Sequence, residues 1–254
     1  PPRSTLFPYT TLFRSRMVEM ATVWGVRHYK FDGFYVTCNE TDHGHEPGVL
    51  SCETVAEGLI SVFEALRQAA PDTWLEPTCF GYNPSPWWFR WVDSALTTFG
   101  DDAPPGRVPC PVWSESLTSG RDYFCLQGAY WLPLPAVGLE ALGLIHQTPY
   151  PYLNAGVTVL LRGHQFMPVY LNPKYMNATR WDQLGGLFKW AREHSDLLSQ
   201  SEVLLPVAWQ GGKAPKLLQH EKMPREPYGY AHFVGEEGLV HLRNPWVAES
   251  SYTF

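Results

Sequence analysis

Between residues 16 and 102 the chain alternates helix-like and strand-like stretches, and carboxylates stand where the strand-like stretches close. From Arg16 the apolar positions Met17, Val18, Met20, Ala21, Val23 and Trp24 suit a helix, stopped by Gly25, and residues 26–36 read as a strand. Residues 54–70 are amphipathic, with Val55, Leu59, Ile60, Val62, Phe63 and Leu66 on one face, and Pro71-Asp72 separates them from a second strand over 73–78. Pro86 to Asp93 predicts a third helix, and Ala95 to Phe99 a third strand that ends at Gly100-Asp101-Asp102. Such alternation folds as parallel strands covered by helices.

Two arrangements meet that requirement. A doubly wound nucleotide-binding sheet needs a Gly-rich phosphate loop after a strand, and this chain has none. The other is a (β/α)8 barrel, which takes about 250 residues. Adding apolar stretches at 137–145 and 157–162 brings the strands to five, so the sequence predicts an α/β chain carrying the second half of a TIM barrel over residues 16–198. A helix over 179–198 closes that part. Val203–Trp209, Tyr228–Val234 and Leu239–Leu242, set apart by Gly and Pro, then read as the beginning of a β-sandwich over 199–254. Residues 1–15, PPRSTLFPYTTLFRS, repeat Thr-Leu-Phe and look like translated sequencing-adapter read-through familiar from metagenomic assemblies, so they are set aside as a leader. A barrel fragment leaves strand edges unpaired, and the expectation is a piece that is poorly soluble and inactive apart from a longer parent.

Composition narrows the function. The chain has 25 Asp plus Glu against 19 Lys plus Arg, a net charge of −6, which argues against nucleic acid or anionic membrane as a partner. No apolar run approaches the roughly 18 residues of a membrane helix. The five cysteines form no CxxC pair, and Asp42-His43-Gly44-His45-Glu46 lacks a recognisable further ligand, so neither metal nor other cofactor is expected. Aromatic residues make up 15% of the chain and are interleaved with carboxylates and amides. Pyranose rings stack on indole and present hydroxyls to such polar groups, so an oligosaccharide or glycoside is the expected partner, although aromatic residues also serve as core.

Asp32, Glu76, Asp101 and Asp102 fall at successive strand ends, where barrel enzymes carry their chemistry. Glycoside hydrolysis needs two carboxyl groups flanking one bond, because the transition state is cationic at the anomeric carbon. Asp32 and Asp101 form the natural pair, with Asp102 as the alternative to Asp101. Lys30, two residues before Asp32, points to the same face of an extended strand and would hold Asp32 ionised.

Lys30-Phe31-Asp32-Gly33, preceded by Trp24-Gly25-Val26, resembles the Lys-x-Asp nucleophile strand of the retaining α-galactosidases of glycoside hydrolase family 36 and its clan, the melibiase type included. Gly100-Asp101 matches the clan's acid/base strand end, Arg162-Gly163-His164 and Trp190 to Leu198 resemble its last barrel strand and helix, and Leu239 to Pro245 resembles the opening of its C-terminal sandwich. In two places the chain departs from the melibiase type: Cys79-Phe80-Gly81-Tyr82 stands in place of Cys with a Gly-rich stretch, and Thr98-Phe99-Gly100-Asp101 in place of Trp-x-Ser-Asp. The resemblance implies a retaining α-glycosidase acting without metal, with Asp32 as nucleophile and Asp101 as acid/base. Lys30, Trp74, Glu76, Trp87 and Arg90 would line its glycone pocket. A non-catalytic carbohydrate-binding remnant and a transglycosylase using the same two Asp are the competing readings. Subcellular location and oligomeric state are left open by the sequence.

Overall fold

The computed structural model describes residues 11–32, 37–42, 44–77, 86–96, 122, 133–138, 142–144, 153–163, 169–212, 226–245 and 248–253. The chain divides into two units, Pro1–Thr97 and Thr98–Phe254.

The first unit is built on a helix–strand–helix–strand sequence. Helix α1 (Thr11–Thr22) begins inside the segment set aside as a leader, and Phe13 packs against the same core as Met17 and Val18. Gly25, at φ 74°, turns the chain after the helix, and the Val26 amide donates to the Met20 carbonyl at 3.0 Å. Strand β1 (His28–Phe31) follows, then a 3-10 turn at Val49–Ser51, helix α2 (Cys52–Ala69) and strand β2 (Trp74–Pro77). The strands β1 and β2 are parallel, with His28 opposite Trp74, Tyr29 opposite Leu75, Lys30 opposite Glu76 and Phe31 opposite Pro77. Side chains alternate across a strand, so Tyr29, Phe31 and Leu75 share one face. That face is buried with Ala21 of α1 and Leu59, Val62, Phe63 and Leu66 of α2. Phe31 and Phe63 meet edge to face at 5.1 Å. The core therefore occupies one side of the strand pair and leaves the other for polar groups.

Arg67, in the last turn of α2, donates to the carbonyls of Pro71 and Thr73 and to Asp93 Oδ2, while the Leu75 amide donates to the same Asp93 oxygen at 2.8 Å. These bonds fix the start of β2 against the end of α2. Pro86–Arg90 forms a 3-10 turn rather than the expected helix, because bulky aromatic residues are weak helix formers and Trp88 is wedged into the core against Phe63. Strand β3 is described only at Ala95–Leu96.

In the second unit a 3-10 turn at Leu134–Ala136 leads into β4 (Val137–Gly138), and β5 is Leu142–Leu144, so the strand expected over 137–145 is described as two short pieces. Strand β5 pairs in parallel with β6 (Val169–Leu171), and helix α3 (Leu153–Leu160) lies between them in the chain. The strand expected over 157–162 is thus corrected. Val157 to Leu161 is apolar but for Thr158, a short run that periodicity cannot assign, and here it forms the end of a buried helix and its closing turn. Arg162 and Gly163 belong to that turn, not to a barrel strand, and His164 lies outside the described residues.

Helix α4 (Ala178–Glu193) is capped by the Asn177 side chain, which accepts from the Arg180 amide at 2.9 Å, and α5 (Ser195–Leu198) follows after a break at His194. Strands β7 (Ser201–Leu204), β8 (Tyr228–Val234) and β9 (Glu237–Arg243) form an antiparallel sheet in chain order. The expected strand 203–209 ends at Leu204 because Pro206 has no amide hydrogen for the ladder, and Val207–Gly212 coils into 3-10 turns. The fold is mixed α/β, with parallel pairs bridged by helices and an antiparallel sheet near the C-terminal end. Among the described residues neither a closed barrel nor a second sheet against β7–β9 is seen.

Candidate functional site

The polar face of the β1–β2 pair is the first unit's chemically rich surface. His28 and Lys30 of β1 and Trp74 and Glu76 of β2 project from the side opposite the core, and Asp32 continues that parity just beyond β1. Lys30 Nζ lies 3.8 Å from Asp32 Oδ2, and the Asp32 side chain is 70% exposed. So open an ion pair adds little to stability, but it presents a carboxylate with a cation beside it to anything that approaches from solvent.

Glu76 is its opposite, fully buried among polar neighbours. The Ser94 hydroxyl donates to Glu76 Oε2 at 2.6 Å, and the Trp74 indole Nε1 donates to Ser94 Oγ at 3.1 Å. Glu76 Oε1 is buried with no hydrogen-bond partner among the described residues. Burial pushes the Glu76 carboxyl above its ordinary value, against the pull of the Ser94 hydroxyl and the Lys30 ammonium. His28 is pushed down by burial and by Lys30, which favours a neutral imidazole on this face.

Trp87 and Arg90 are placed by the 3-10 turn at 86–90. Trp87 packs edge to face on Trp88 at 4.8 Å and on Trp91 at 4.7 Å, and the Arg90 guanidinium lies over the Trp91 ring at 5.4 Å. Trp91 Nε1 in turn donates to Glu64 on α2 at 3.2 Å. The structure thus groups Trp87 and Arg90 with an aromatic cluster tied to α2, while Lys30, Asp32, Trp74 and Glu76 form the strand-face group. Asp101, Asp102 and Cys79 lie outside the described residues, as does His43 of the acidic-histidine loop, where His45 Nδ1 is 2.9 Å from the Glu46 carbonyl.

Ser94 is the residue that sequence reasoning missed. It carries no motif, and only the folding of 86–96 back over β2 brings it to Glu76. The parity of Trp74 and Glu76 with Lys30 and Asp32 was the available signal for the rest.

The second unit holds a buried ionic network. Arg162 Nε pairs with Asp122 Oδ1 at 2.5 Å, and the hydroxyls of Tyr228 and Tyr230 donate to Asp122 at 2.5 and 2.8 Å. Arg243 Nη1 donates to the Tyr228 hydroxyl at 2.6 Å, and both His232 ring nitrogens meet backbone carbonyls, of Leu198 and Leu161. Burial pushes Asp122 up, but Arg162, Arg243 and the Tyr228 bond outweigh it and hold the carboxyl below its ordinary value. Burial drives His241, on the same face of β9, down to about 4. With Asp122 and Arg162 sealed from solvent, this network fastens the sheet to the turn after α3 rather than meeting a ligand.

No family model matches the chain, and no curated protein sequence matches it. Several solved structures do share its fold. The galactosidase domain of the α-galactosidase-sucrose kinase AgaSK superposes with a TM-score of 0.56 at 14% identity, covering 96% of this chain. The family 36 α-galactosidase AgaA of Geobacillus stearothermophilus gives 0.56 at 13% identity over 92% of this chain. The α-galactosidase of Lactobacillus brevis gives 0.51 at 12% identity over 87%. This chain spans 30%, 30% and 28% of their respective lengths. At such identities the likeness is one of fold: the mixed helix and strand arrangement of this chain is similar to a part of these α-galactosidase structures.

Proposed function

We propose that the chain is part of the catalytic barrel, with the start of the following sandwich, of a retaining α-glycoside hydrolase of α-galactosidase type. The observation that carries this reading is the Lys30–Asp32 pair at the end of β1, exposed on the polar face of a parallel β/α unit. The fold likeness to α-galactosidase structures supports the same chemistry. In this mechanism the Asp32 carboxylate attacks the anomeric carbon and the glycosidic bond breaks. Asp101, or Asp102 in its place, gives its proton to the leaving oxygen. The same acid then takes a proton from water, which attacks the anomeric carbon and releases Asp32. The Lys30 ammonium, 3.8 Å from Asp32 Oδ2, stands beside the carboxylate that attacks and that is released again. Trp74 offers an apolar plane to the sugar ring, Trp87 and Arg90 complete the pocket wall, and Glu76, buried beneath the strand face, supports that wall from behind. Hydrolysis of an aryl α-galactoside by the full-length parent, followed by NMR of the first-formed sugar, tests this. The α-anomer is expected, and the β-anomer would reject double displacement.

A further inference from the structure

We infer that Glu76 and Ser94 are positioning residues, which together hold the Trp74 indole in one orientation on the strand face beside Lys30 and Asp32. The inference rests on the reading above for its functional meaning, but its geometry stands apart from it.

Indole nitrogen only donates, so Ser94 Oγ must accept from Trp74, and its single hydroxyl proton is left for Glu76 Oε2, 2.6 Å away. The direction of the chain is fixed: Trp74 to Ser94 to Glu76. Trp74 and Glu76 are two residues apart on one strand, and Ser94 closes the gap between them from the segment that precedes β3. An indole pinned at its nitrogen keeps its ring plane, which a sugar-stacking residue requires and a freely turning side chain lacks. Glu76 ends the chain as a buried carboxyl, so its protonation alters how strongly it accepts from Ser94, and the change reaches Trp74 through that hydroxyl. The groups around Glu76 are Lys30, His28 and Asp32 along β1, and Asp93 next to Ser94, which is itself occupied by Arg67 and the Leu75 amide. Of these groups, Glu76 and His28 are the two whose protonation the fold displaces, in opposite directions. Burial places the Glu76 midpoint above the ordinary glutamate value of 4.5, whereas His28 is pushed below its ordinary 6.5.

The test is fluorine NMR of the full-length protein labelled with 5-fluorotryptophan, with Trp74→Phe assigning the Trp74 signal. In the unaltered protein that signal is expected to move with pH, with a midpoint above 4.5. Glu76→Gln, nearly the same shape, should abolish the movement, and Ser94→Ala should cut its amplitude by half or more. A signal indifferent to pH, or one that moves unchanged in Glu76→Gln, overturns the inference. Should Ser94→Ala fail to fold, the unaltered protein and Glu76→Gln still decide it. On an aryl α-galactoside, Ser94→Ala should raise KM about tenfold, the loss of one hydrogen bond, with kcat within about threefold. Absence of turnover in the unaltered protein would sink the hydrolase reading and leave the fluorine result to judge the positioning chain.

Discussion

Asp32 and Glu76 are carboxyl groups on neighbouring strands that the protein places in opposite surroundings, one open beside a lysine and one sealed behind a serine. In the proposed mechanism the open carboxylate attacks the sugar and the sealed one orients Trp74 through Ser94. Asp32→Asn in the full-length parent should therefore lower kcat by roughly a thousandfold or more, with unfolding free energy changed by less than about 0.5 kcal/mol. Asp42→Asn, in an exposed loop outside β1 and β2, should leave kcat within about threefold, and steady-state kinetics with urea melts compares the two. Glu76 makes a different prediction. Its carboxyl binds a proton more tightly folded than unfolded, so its contribution to stability is greatest below the ordinary value of 4.5 and declines as pH rises through the raised one. Glu76→Gln should accordingly gain in melting temperature over the unaltered protein as pH climbs from 4 to 7, as followed by circular dichroism. A gap that narrows over that range would mean the group is stabilised as a carboxylate instead.

At the scale of elements, one buried carboxylate helps tie strand β8 to the turn after α3. Asp122 accepts from Arg162 in the turn after α3 and from Tyr228 and Tyr230 of β8, so removing its charge leaves a sealed guanidinium facing a neutral amide. Breaking a buried pair from one side costs about 3–5 kcal/mol, and Asp122→Asn should lower unfolding free energy by that amount in guanidinium titration. Loss of under about 1 kcal/mol would show that water reaches the network. Elements with a clean period were legible in the sequence: α2 differs from its expected 54–70 by two residues at its start and one at its end, and β2 lies within the expected 73–78. Helix α3 was not, since Val157 to Leu161 is a short run, apolar but for Thr158, and helix and strand share that signature when fully buried. Nor was the start of α1 legible, because the repeated Thr-Leu-Phe read as foreign while Phe13 in fact joins the core. The polar strand face was legible by parity from Lys30 and Asp32 to Trp74 and Glu76. Ser94 was not, for its place depends on how the chain returns after the turn at 86–90.

For the molecule as a whole, the first unit presents a polar strand face that carries Lys30 and Glu76, and the chain is similar in fold to about 30% of an α-galactosidase structure at 14% identity. Fold likeness at that distance leaves the reaction to be argued from the site. The central claim is that Asp32 forms the covalent bond to the sugar. Incubating the full-length parent with a 2-fluoro-α-galactosyl donor slows breakdown of the glycosyl-enzyme, and peptide mass spectrometry then locates the attached sugar. The account predicts one equivalent of fluorogalactosyl group on the peptide bearing Asp32, and none in Asp32→Asn. Label on another carboxylate, or equal labelling of Asp32→Asn, would contradict it.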